Sequence, residues 1–129
     1  MKRLSVLTAV AVALVMAAAT PSEAAKKGRS GAYDGLWSVS IRTQAGPCDP
    51  SYRYPARIVG GRVTQADTDF SYQISGAVVA SGAIAVTVYR MGQSATGYGR
   101  LRGSSGAGRW SAAGNTCYGT WNAMRRAAN

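Results

Sequence analysis

From residue 33 onward, apolar and polar side chains alternate with a period of two. Trp37, Val39, Ile41 and Thr43 fall on one face of a predicted strand, and Ser38, Ser40 and Arg42 fall on the other. Tyr52, Tyr54, Ala56 and Ile58 repeat the pattern against Arg53, Pro55 and Arg57. Pro55 has no amide hydrogen to donate, so this strand is expected to be an edge, bulged or short at that point. Phe70, Tyr72 and Ile74 alternate with Ser71 and Gln73 until Ser75-Gly76 breaks the run, and residues 77–80 form another short strand. Residues 83–90 (AIAVTVYR) are the strongest strand, with Ile84, Val86 and Val88 together. Residues 96–102 place Thr96, Tyr98, Arg100 and Arg102 on one side and Gly97, Gly99 and Leu101 on the other. Two last strands lie around Trp110 and over residues 116–124, while residues 122–128 carry a possible turn of helix.

Turn chemistry separates these runs. Gly46-Pro47-Cys48-Asp49-Pro50 is a turn cluster, Gly60-Gly61 is a two-residue hairpin signal, Ser81-Gly82 is a turn, and residues 103–108 read as a loose Gly/Ser turn. No stretch of ten or more residues after the first thirty carries a helical apolar stripe, the tail aside. The expected class is therefore all-β: a small antiparallel up-and-down meander of seven to nine strands, closed as a barrel. Closure removes the exposed edges that a small sheet must otherwise protect.

All three tryptophans follow a glycine by two residues: Gly35-Leu36-Trp37, Gly108-Arg109-Trp110 and Gly119-Thr120-Trp121. Residues i and i+2 of a strand share a face. A glycine there leaves room for the indole and permits sharp strand curvature. The expectation is three indoles, Trp37, Trp110 and Trp121, turned into one core near the strand starts.

The beginning of the chain has a different character. Lys2 and Arg3 precede an apolar and small-residue run to Ala19, then small residues such as Ser22-Glu23-Ala24, the layout of a secretory signal peptide. Residues 1–24 are read as that leader, with cleavage after Ala19 or Ala25 as alternatives. Residues 25–32 are read as a flexible basic linker and 33–129 as the folded domain. No transmembrane anchor is expected after cleavage, and the expected location is periplasmic or secreted. Such a chain offers two cysteines, Cys48 and Cys117, to an oxidising compartment, and one pairing is possible. That disulfide would close a loop of about 70 residues and contribute roughly 4 kcal/mol. Without the leader, two lysines and eleven arginines face Asp34, Asp49, Asp67 and Asp69, a net charge of +9. Such a field attracts polyanions. An arginine-rich, lysine-poor composition also follows from a GC-rich coding sequence.

Gly-x-Trp in the first strand, with an arginine after the last, resembles the lipocalin and avidin-like barrels. That resemblance implies Trp37 at the closed end of a barrel, covered by Arg125 or Arg126. A second likeness spans most of the mature chain: Tyr33-Asp34-Gly35-Leu36-Trp37, the Cys48 turn, the Ile74-Ser75-Gly76 break and the ending Cys117-Tyr118-Gly119-Thr120-Trp121-Asn122-Ala123-Met124-Arg125. These resemble small exported proteins of rhizobial and related alphaproteobacteria. The likeness implies export and a β-rich fold, and transfers no functional residue.

The chain has no histidine, and its sole glutamate, Glu23, lies in the leader. Ser-His-Asp and Cys-His catalysis and histidine metal sites are thereby excluded, and so is the common neutral-pH general base. An enzyme is not expected. Asp67 and Asp69, two apart in TQADTD, read as a solvated turn rather than a calcium site, and Asp34 and Asp49 read as turn or cap residues. No glycine-rich run has phosphate-loop spacing, so no nucleotide and no cofactor is expected. The candidate anion-binding residues are Tyr98, Arg100 and Arg102, joined by Arg125 and Arg126 if the barrel closes. The expected function is a non-enzymatic exported binding module for anionic polysaccharide, lipopolysaccharide or a similar envelope or extracellular polymer. The alternatives are a protein-binding inhibitor of proteases or lysozymes and a structural or adhesin-like surface protein.

Overall fold

A computed structural model describes residues 28–66 and 71–128. The leader, Lys26, Lys27 and the Asp67/Asp69 turn lie outside the described residues. Eight antiparallel strands follow one another around a closed barrel: β1 (Gly35–Ala45), β2 (Ser51–Val59), β3 (Arg62–Gln65), β4 (Tyr72–Val78), β5 (Ala83–Arg90), β6 (Gln93–Arg102), β7 (Ser105–Ala112) and β8 (Tyr118–Ala127). Strand β8 pairs back onto β1, so the meander closes on itself as the period-two pattern implies.

Inward positions follow the expected alternation. Trp37 and Ile41 of β1, Ile58 of β2, Val63 of β3, Ile74 and Val78 of β4, and Leu101 of β6 belong to one contiguous buried cluster with Trp110 and Trp121. The buried side chains of this cluster lie inside the barrel.

The elements depart from expectation at three places, two of them at glycines. Ser75-Gly76 does not break a strand; both residues pair within β4, opposite Thr87 and Val86. A Cβ on Gly76 would collide with the Ala85 carbonyl, so the glycine permits close approach of β5. The 103–108 turn shrinks to Gly103 and Ser104, and β7 begins at Ser105. Gly106 lies under the Leu101 side chain and Gly108 under the Trp121 ring, so these glycines belong to the wall. The tail is not helical either, because β8 runs to Ala127. Its alternation of Trp121, Ala123 and Arg125 packs inward against β1, and tertiary pairing overrides local helix preference.

Pro55 falls where the expectation placed it. It pairs with Ser38 of β1, while β3 joins the other side of β2 only from Ala56 onward. Arg29 and Ser30, expected in a flexible linker, are docked: Arg29 bridges to Val79 and the Ser30 amide donates to the Val78 carbonyl at 2.9 Å.

Candidate functional site

The closed end of the barrel is assembled around Trp37 and Arg125. The Trp37 Nε1–H donates to the Tyr33 carbonyl at 2.8 Å. The Arg125 guanidinium lies 5.3 Å from the Trp37 ring and donates to the carbonyls of Asp34 (2.9 Å), Gly103 (2.9 Å) and Ala32 (3.3 Å). The Asp34 carboxylate accepts from the amides of Gly60 and Gly61, so it caps the β2–β3 hairpin. Arg125 therefore covers Trp37 and commits its guanidinium to backbone carbonyls of the fold rather than offering it as an anion-binding side chain. Arg126 stays outside. It shares a shallow depression of about 320 Å³ with Leu36, Ser38, Arg53 and Pro55, not with the Tyr98 face.

At the opposite end, the Cys48–Cys117 disulfide ties the β1–β2 loop to the segment before β8, with a Cα–Cα distance of 6.1 Å and a sequence separation of 69. A tyrosine group fills the seam where the β2–β3 ladder stops. The Tyr52 and Tyr54 rings stack at 6.2 Å, and Tyr54 meets Tyr72 at 6.0 Å. Burial raises the Tyr54 hydroxyl well above its ordinary value, and the neighbouring Tyr52 and Tyr72 add to this. Burial also raises Tyr52, with Arg90 opposing and Asp49 reinforcing the shift.

The outer wall carries the charge. None of the eight strands contains an aspartate or glutamate. Tyr98, Arg100 and Arg102 are exposed together on β6, as the alternation implies. Arg100 and Arg102 border a shallow depression of about 360 Å³ whose floor is Ser105, Gly106 and Ala107. Closure brings in residues that the linear pattern did not single out. Tyr98 stands opposite Arg109 of β7, Arg109 opposite Thr120 of β8, and Thr120 opposite Arg42 of β1. The result is one transverse row, Tyr98–Arg109–Thr120–Arg42, crossing half of the strands. A neighbouring row runs Thr96–Ser111–Tyr118, and another runs Arg100–Ala107–Asn122–Ser40–Arg53.

The core anchors this wall from behind. The two adjacent Gly-x-Trp units pair head to tail: Gly108 opposes Trp121 and Trp110 opposes Gly119. The Trp121 ring lies over Gly108 and Gly99, and its Nε1–H donates to the Tyr98 carbonyl at 3.3 Å. The Trp110 Nε1–H donates to the Arg42 carbonyl at 3.1 Å. The Trp121 indole thus makes room against the other unit's glycine, not its own, while Gly119 permits close approach of the Arg42 carbonyl. The two carbonyls that receive the indoles belong to the two ends of the transverse row. The three indoles are all buried; Trp37 and Trp121 sit near the starts of β1 and β8, but Trp110 lies near the end of β7.

Within the described residues, no group of three or more metal-ligating side chains is present. No protein-family model matches the chain, and no curated protein matches it.

Proposed function

We propose that this protein is an exported, non-enzymatic binding module that holds anionic envelope or extracellular polymers on its outer wall. The observation that carries the reading is the composition of that wall. Arg42, Arg53, Arg100, Arg102 and Arg109 are exposed on strands that contain no acidic residue at all. Like charges gathered on strands without acidic residues raise the energy of the folded protein, and a polyanion offsets that cost while its counterions are released. Guanidinium forks suit carboxylate, sulfate and phosphate groups. The apolar cluster inside the barrel carries no charged side chain for an anion, which supports a site on the outer wall. Export is supported by the leader-like residues 1–24 and by the disulfide.

Retention on immobilised heparin, followed against salt, tests the proposal. The protein is expected to stay bound well above about 50 mM salt, and Arg100→Gln/Arg102→Gln/Arg109→Gln is expected to elute much earlier. Elution of the parent protein by about 50 mM salt would overturn it.

A further inference from the structure

We infer that the polymer is an acidic polysaccharide, lying across β6, β7, β8 and β1, with Tyr98 and Tyr118 as stacking platforms for sugar rings. The inference rests on the anion-binding reading and goes further, to the chemistry between the charges.

Tyr98 and Tyr118 are large aromatic side chains left 61% and 51% exposed on a wall of arginines and short polar side chains, where Met124 of β8 is exposed as well. They stand on strands two apart, one residue row out of line, so their Cα atoms are separated by roughly 12 Å. Arg109 lies beside Tyr98, and Ser111 lies beside Tyr118. Arg109 and Arg42 are two strand spacings apart, about 10 Å, with Thr120 between them. A ligand meeting this surface encounters flat rings, hydroxyls and widely spaced guanidinium groups. A chain of polyhydroxylated rings bearing carboxylates at intervals supplies the complement of each. Its apolar ring faces cover the tyrosines, its hydroxyls exchange hydrogen bonds with Thr120 and Ser111, and its carboxylates accept from Arg109 and Arg42. A lipid surface would instead require a cluster of apolar side chains able to enter the acyl region, whereas Thr120 separates Arg109 from Arg42 here and the exposed Met124 lies outside their row, opposite Ser105 and Ser38. The platform is preorganised, since the Trp121 and Trp110 indoles hold the backbone at Tyr98 and Arg42.

Affinity for polygalacturonate is the test, with inorganic polyphosphate, phosphatidylglycerol vesicles and oligothymidylate as comparison probes at one ionic strength. Tyr98→Ala and Tyr118→Ala are each expected to weaken polygalacturonate binding about five-fold and to leave polyphosphate binding unchanged. Arg109→Gln is expected to weaken both. If the tyrosine variants bind polygalacturonate as tightly as the parent, the sugar platform is wrong while the anion wall stands. Tighter, tyrosine-dependent binding of oligothymidylate, or preferential binding of the vesicles, overturns the polysaccharide assignment. If the parent protein binds none of the four probes even at low salt, the anion-binding reading fails and this inference fails with it. Unchanged melting temperatures of the variants confirm that a loss reports on the surface.

Discussion

Replacing Gly108 by alanine would drive a methyl group into the Tyr98 carbonyl and to 2.7 Å from the Trp121 ring. Neither neighbour has room to retreat, because the ring also lies over Gly99 and its N–H is bonded to Tyr98. The expected cost is about 3 kcal/mol, read as a lowered denaturation midpoint, against about 1 kcal/mol for Gly103→Ala in the open β6–β7 turn. Equal costs at the two positions would remove the packing role of Gly108. Arg125 gives a second residue-scale expectation. Arg125→Met keeps the stem over Trp37 but leaves carbonyls at Asp34, Ala32 and Gly103 without their donor, at a cost of about 2 kcal/mol or more in urea unfolding. At this scale the sequence was partly legible. The Gly-x-Trp pattern announced tight indole packing. Which glycine serves which indole depends on the register of β7 against β8, and no local spacing encodes that register.

Among the elements, the strands with branched or aromatic alternation, β1, β2 and β5, were legible because a half-buried pleated surface demands that pattern. The end of β8 was misread because its pairing with β1 overrides local helix preference, and β4 and β7 were misread for another reason. A glycine that permits a turn and a glycine that permits close strand approach are the same letter, and only the neighbouring strand distinguishes them. The Met91-Gly92 turn between β5 and β6 went unmarked for the converse reason: Met91 takes φ 50°, a conformation that its side chain does not advertise. Two stability predictions belong to this level. Cys48→Ser/Cys117→Ser releases the β1–β2 loop from the β7–β8 connection and is expected to cost about 4 kcal/mol in chemical denaturation. The tyrosine seam makes stability fall in alkali. Tyr54 has a raised value in the folded state, so its neutral form is favoured there. Its contribution is full below about pH 10 and is lost as pH rises beyond that, when the unfolded chain ionises first. Tyr54→Phe is expected to flatten the decline, as measured by urea midpoints at about pH 9 and about pH 11; an unchanged slope would assign the decline to other groups.

For the molecule as a whole, charge and closure act together. Composition announced a basic protein, and alternation placed Tyr98, Arg100 and Arg102 on one face. Arg109 and Tyr118 join them through the β6–β7 and β7–β8 pairings, and Arg42, far away in sequence, joins because β8 closes onto β1. That part of the candidate site was illegible because it is a property of register. Conversely, Arg125 looked available in the sequence and is consumed by the closed end of the barrel. The proposed wall and the indole core meet at the Tyr98 and Arg42 carbonyls, so occupancy of one is expected to register in the other. The most direct measurement is a 1H–15N correlation spectrum of the protein titrated with a short polygalacturonate. The account predicts shifts gathered at Tyr98, Arg109, Thr120 and Arg42, together with the indole N–H signals of Trp121 and Trp110, while Trp37 and the tyrosine seam stay in place. Shifts confined to the seam or the closed end, or no shift at low salt, would contradict it.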